Sequence, residues 1–161
     1  MKVDDDLARQ VIKPRLRESH KGSYGRVLLV GGLYPYGGAI IMVAIACVNS
    51  GAGLVTVLRI VKISQPFMPI SLKPWLLTLG RLKDFLDNLR AADVVLIGSG
   101  LGEDGVASQA MDLVLANIRA DQNLVVDGSA LNLLAKKTKK TYQIVTLLSP
   151  RIKKNGNVCL V

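Results

Sequence analysis

Cysteine, histidine and aromatic side chains are the scarce residues of this 161-residue chain. Its two cysteines, Cys47 and Cys159, stand far apart, with no histidine or second cysteine close by. That spacing offers neither a disulfide framework nor a zinc site, so both read as incidental thiols and no metal site is expected among them. No apolar run approaches the roughly 20 residues of a membrane-spanning helix. The longest, residues 39–48, is followed by Asn49 and Ser50 and reads as a core helix. The charged start MKVDDDLARQ places no apolar stretch beside a small-residue cleavage site. A cytoplasmic protein with no membrane partner is therefore expected.

Two familiar phosphate-binding patterns are also missing. After the first strand-like run the loop reads GGLYPYGGA, which lacks the G-x-G-x-x-G spacing, and no Gly-Lys-Ser or Gly-Lys-Thr ending of a P-loop occurs. Half of the residues are hydrophobic, enough for one domain with a buried core. The formal charge is +9. A basic excess ordinarily raises nucleic acid as a partner, but here the charges neither line one helix nor interleave with aromatics. No nucleic acid is expected.

Short β-rich runs alternate with longer helical ones, the pattern of a parallel sheet covered by helices. Residues 26–30 (RVLLV), 54–57, 94–97, 124–126 and 144–147 read as strands. The 94–97 run is unbroken and apolar, as a strand buried on both sides would be. Helices are expected over 39–50, 81–91, 106–118 and 129–135. The first should stop at Gly51-Ala52-Gly53, the second has Leu82, Phe85, Leu86 and Leu89 on one face, and Ser129 is a plausible N-cap for the last.

Three glycine-bearing loops each follow a strand: Gly31-Gly32 with Gly37-Gly38, then Gly98-Ser99-Gly100-Leu101-Gly102, then Asp127-Gly128-Ser129. In an open parallel sheet ligands bind beyond the carboxyl ends of the strands, where helix N-termini present free N–H groups. The three loops should share one rim. Glycine there either lets the backbone close on a ligand or makes a tight turn. Gly38, Gly98 and Asp127 are candidate pocket-lining residues. Asp127 can cap the next helix, orient a ligand hydroxyl or hold a metal through water. His20, just before the first strand, is a candidate general base with no acid partner in view. Lys21 beside it either holds a phosphate or is solvated.

HKGSYGRVLLVGG, YGGAIIMVAIACVNSGAGLVTV, ADVVLIGSGLG and LVVDGSALNLLA resemble, in order and spacing, the successive motifs of the NAD(P)H-hydrate dehydratases. The resemblance implies a three-layer, ribokinase-like α/β fold: a mostly parallel sheet with helices on both faces, usually in homo-oligomers. It implies a lyase that repairs hydrated NADH and NADPH, using ADP or ATP with Mg2+ to phosphorylate the hydroxyl before phosphate leaves. It further implies that Ala39 and Gly100 bind the hydrated nicotinamide. Ser99 stands where the family usually has proline, which should loosen that loop. Arg151 follows Pro150 where the family has a substrate-contacting histidine. The family's Lys-Gly-Asn segment and its Gly-Thr-Gly-Asp loop, which carries the catalytic base, do not occur before Val161. By that pattern the domain is incomplete, contains no catalytic residue, and is expected to be inactive alone.

Two stretches, 59–78 and 151–161, depart from the family and read as out-of-frame sequence. Read one frame over, with permitted wobble, the codons of the first can spell ADRENISALHAHLPEAMAFD, and those from Ile152 can spell HQKEWERLS; both resemble the family there. The shifted text would bring the formal charge from +9 to about zero. Pro66, Pro69 and Pro74 should break any regular element between 59 and 78, with poor packing as the consequence. Three functions stay open: the dehydratase, a ribokinase-like small-molecule kinase, and a non-catalytic nucleotide-binding remnant.

Overall fold

A computed structural model describes residues 16–59 and 82–137 in full, residues 5–6 and 14, and the backbones of two short strands at 75–78 and 159–160. The apolar runs pair as six parallel strands: β1 (Arg26–Gly31), β2 (Leu54–Arg59), β3 (Trp75–Thr78), β4 (Val94–Ile97), β5 (Asn123–Val126) and β6 (Cys159–Leu160). Their order across the sheet is β3-β2-β1-β4-β5-β6. Register is continuous through the centre, with Leu29 opposite Val57 on one side and opposite Leu96 on the other.

Because successive side chains of a strand point to opposite faces, β1 feeds two cores. Leu28 and Val30 join Phe85, Leu89, Met111 and Val114 on one face. Leu29 joins Ile40, Ala44, Val55 and Val57 on the other. Among the described residues, helices α1 (Gly37–Asn49), α2 (Leu82–Ala91), α3 (Gly105–Asn117) and α4 (Ser129–Lys136) supply the outer layers. The second core belongs to α1, the first to α2, α3 and α4. This is the three-layer arrangement expected from the sequence.

Local chemistry explains the helix limits. α1 carries no charge and buries Ile40 and Ala44, four residues apart on one face. It ends in a Schellman arrangement: the Gly51 N–H donates to the Val48 carbonyl and the Ala52 N–H to that of Cys47, with Gly51 at φ 93°. α2 buries Phe85 and Leu89 as its spacing predicts, while Leu82, at its first turn, stays exposed. α3 opens with Asp104, whose carboxylate accepts the Ala107 N–H at 2.8 Å, and buries Ala107, Ala110, Met111, Val114 and Leu115. Behind these helices Gln122 is buried, and its amide donates to the Leu89 and Ala92 carbonyls, both at 2.6 Å. Nearly all of the polar capacity of that side chain is thereby satisfied, because its oxygen accepts the Arg119 N–H.

Three expectations are corrected. β4 is fully buried at Val95 and Ile97 but only half-buried at Val94 and Leu96, because α1 lies over β1 and β2. Gly128, not Ser129, is the N-cap of α4; the Ser129 hydroxyl is engaged elsewhere. The stretch 59–78 does contain regular structure, since Arg59 closes β2 and Trp75–Thr78 pairs with it as β3. All three prolines precede Trp75, so none removes a ladder donor from those four residues. The expected strand 144–147 lies outside the described residues.

Candidate functional site

The strand order reverses between β1 and β4, and a crevice at such a reversal, beyond the carboxyl ends, is where open α/β sheets bind ligands. The loops that leave the sheet at this point are tied to one another. The Gly32 N–H donates to the Ser99 carbonyl at 3.1 Å and the Leu33 N–H to that of Gly100 at 2.7 Å. The Gly102 N–H donates to the Ser129 hydroxyl oxygen at 3.0 Å, and that hydroxyl donates to the Gly98 carbonyl at 3.3 Å. The Asp127 N–H continues the ladder to Ile97. All three glycine loops therefore occupy one rim.

The glycines there do different work. Gly98 sits at φ 132°, and a Cβ on it would come within 1.7 Å of the Asp127 carbonyl oxygen. Gly100 sits at φ 64°, with the Tyr36 carbonyl oxygen 2.3 Å from its Cβ position. Both permit backbone to lie against backbone. Gly38 is the opposite case, exposed at the start of α1 with nothing within 4 Å of its Cβ direction. Ala39 beside it is exposed too.

Ser99 overturns the expectation of a loosened loop. It is buried, and its hydroxyl donates to Asp127 Oδ2 at 2.9 Å, a bond that proline in its place could not make. Asp127 Oδ1 accepts the Gly128 N–H at 2.7 Å. The carboxylate is thus held between two donors at the mouth of the rim rather than capping α4 with its side chain.

Glu103, at the far end of the same loop, accepts from Asn132 at 2.7 Å and pairs with Lys136 of α4. The Lys136 bond, then the Asn132 bond, hold its carboxyl below the ordinary glutamate range.

His20 and Lys21 are not part of this site. They belong to a 3-10 turn, Lys21–Tyr24, in which His20 Nδ1 accepts the Gly22 N–H at 3.1 Å. A Cβ on Gly53 would strike the Lys21 carbonyl oxygen at 1.7 Å, so the turn packs where β2 begins, at the opposite end of the strands from the glycine loops. A cavity of about 120 Å³ lies at that same end, between Arg26, Leu54, Thr56 and Asn88.

Two features of the rim escape a motif-based reading. Arg59, assigned by sequence to an out-of-frame stretch, ends β2 with its Nε donating to the Gly32 carbonyl at 2.9 Å. Tyr34 and Tyr36 stand exposed in the β1–α1 loop; their signal was two aromatics in one short loop of a chain that is only 4% aromatic.

A sequence profile described as NAD(P)H-hydrate dehydratase matches residues 27–154. The chain belongs to this family. An ADP-dependent (S)-NAD(P)H-hydrate dehydratase of Streptococcus thermophilus is 68% identical over 145 residues, covering 88% of this chain and 51% of that protein. The enzyme of the same name from Streptococcus pneumoniae is 40% identical over 154 residues, covering 94% and 52%. A crystal structure of a ribokinase-like superfamily protein from Enterococcus faecalis superposes with a TM-score of 0.77 at 40% identity, covering 84% of this chain and 48% of that one. The fold is therefore ribokinase-like. The chain spans about half the length of the curated relatives it matches.

The Mg2+ implied by that family does not fit the residues at this rim. Among the described residues no three His, Cys, Asp or Glu side chains gather where they could hold a metal ion, and both oxygens of Asp127 already accept hydrogen bonds. Among the described residues, too, no helix is long and apolar enough to cross a membrane.

Proposed function

We propose that this chain supplies the nicotinamide-binding rim of a cytoplasmic nucleotide-repair lyase that dehydrates hydrated NADH and NADPH with ADP or ATP. The observation that carries the reading is the mutual tying of the three glycine loops at the β1/β4 reversal, in a chain of the dehydratase family. Hydroxide is a poor leaving group, and transferring a phosphoryl group to the hydroxyl turns it into phosphate, which departs while the neighbouring ring carbon gives up a proton and the ring double bond reforms. Gly38 and Ala39 leave the start of α1 open for a ring, and Gly100 lets the β4–α3 loop close on the Tyr36 backbone beside it. Gly98 keeps the β4 loop pressed on Asp127, and Asp127 presents a fixed carboxylate at the mouth. The α1 surface, with Met42 72% and Val48 50% exposed, is the face we assign to contact with further copies of the chain.

Dehydration of hydrated NADH, followed by the recovery of absorbance at the NADH band with ADP and with ATP, separates the alternatives. Turnover supports a dehydratase complete in this chain. Binding of hydrated NADH without turnover supports a rim that needs further residues for phosphoryl transfer. Nucleotide binding with no affinity for hydrated NADH supports the non-catalytic remnant and contradicts the proposal.

A further inference from the structure

We infer that Ser99 is a positioning residue: its hydroxyl fixes the Asp127 carboxylate as a hydrogen-bond acceptor for a hydroxyl or amide N–H of the ligand. This rests on the nucleotide-binding reading above and adds to it a residue and a ligand chemistry. Among the described residues two polar side chains are buried, Ser99 and Gln122. The Gln122 side chain bonds to backbone, at the Leu89 and Ala92 carbonyls and the Arg119 N–H, and so joins elements of the fold. Ser99, only 6% exposed, donates instead to the side chain of the half-buried Asp127, at 2.9 Å.

The two donors on that carboxylate are not equivalent. The Gly128 N–H, on Oδ1 at 2.7 Å, belongs to the next residue along the chain and moves with Asp127. The Ser99 bond joins residues 28 apart and comes from a residue that is itself fixed. The Ser99 carbonyl accepts the Gly32 N–H at 3.1 Å, and its oxygen lies 2.3 Å from where a Cβ on Gly31 would sit. Through Ser99 the carboxylate is therefore held in register with the β1 loop as well as the β4 loop. An ionised carboxylate accepts hydrogen bonds and cannot donate them, and its two oxygens offer about four lone-pair sites. Ser99 and Gly128 occupy one on each oxygen, which leaves room for a donor from the ligand. Phosphate oxygens, negatively charged and accepting, are the wrong partner; the hydroxyl- and amide-bearing part of a nucleotide is the right one.

The test is calorimetric titration with hydrated NADH of the full chain and of Ser99→Ala, Ser99→Pro, Ser99→Thr, Asp127→Ala and the Ser99→Ala/Asp127→Ala double variant, with a urea midpoint for each protein. The inference expects Ser99→Ala and Ser99→Pro each to weaken binding about tenfold, the scale of one hydrogen bond to a charged group. Ser99→Thr, which keeps the hydroxyl, should recover most of that loss. In the Asp127→Ala background Ser99→Ala should cost nothing further, because the hydroxyl acts through the carboxylate. Equal affinity of Ser99→Pro and the parent overturns the inference while leaving the functional reading intact, since proline is the residue usual in the family and lacks the hydroxyl. So does a full loss from Ser99→Ala in the Asp127→Ala background, or an affinity that merely follows the urea midpoint across the variants. If the parent chain itself does not bind hydrated NADH, the functional reading fails and the inference with it.

Discussion

Gly98 and Gly38 look alike in the sequence, each inside a glycine-rich loop, and the structure gives them opposite sensitivities. Alanine at 98 would push a Cβ to 1.7 Å from the Asp127 carbonyl oxygen at a φ of 132°. Clash and backbone strain together should cost about 3 kcal/mol. Alanine at 38 meets nothing within 4 Å, and in the first turn of α1 it should leave stability unchanged or raise it by up to about 1 kcal/mol. Urea denaturation of the two variants checks the contrast, and Gly38→Ala should still weaken hydrated NADH if that surface lines the pocket. The sequence showed where glycine loops follow strands, because that placement is visible as a pattern. It could not show which glycine faces protein and which faces solvent, since that depends on the neighbouring loop. Ser99 illustrates the same limit: its bond to Asp127 joins residues 28 apart, and no local pattern encodes it.

At the scale of elements, the α4 helix is fastened to the β4–α3 loop through Glu103, which takes Lys136 and Asn132 as partners. The Lys136 and Asn132 bonds lower the Glu103 pKa in the folded protein. The stabilising contribution is therefore present above the ordinary glutamate value and is lost as pH falls through the lowered one. An NMR titration of the Glu103 side-chain carboxyl should give a midpoint below that of an unpaired glutamate, and Lys136→Ala should raise it; a midpoint at or above the ordinary value contradicts the tie. Helices α1, α2 and α3 were legible because their apolar spacing and stop signals are local. The α1 stop at Gly51 followed directly from its glycine. β3 and β6, four and two residues long, were not legible, because both fall in the stretches that the sequence assigns to another frame, and each acquires its structure from parallel pairing, with β2 and with β5.

For the whole molecule, the order of strands decides where a ligand can go, and order is a property of pairing that no single segment carries. The sequence supported a parallel sheet with one rim of loops, and the β1/β4 reversal sets that rim at the Gly31-Gly32, Gly98-Gly102 and Asp127-Ser129 loops. It also removed His20, the single histidine, to the other end. These loops are expected to make one cleft for a hydrated nicotinamide nucleotide. Backbone amide NMR during titration with hydrated NADH tests it most directly. Shifts should be confined to residues 36–39, 98–102 and 127–129. Shifts centred instead on Arg26, Thr56 and Asn88 at the far end of the sheet, or no shifts at saturating ligand, would contradict it.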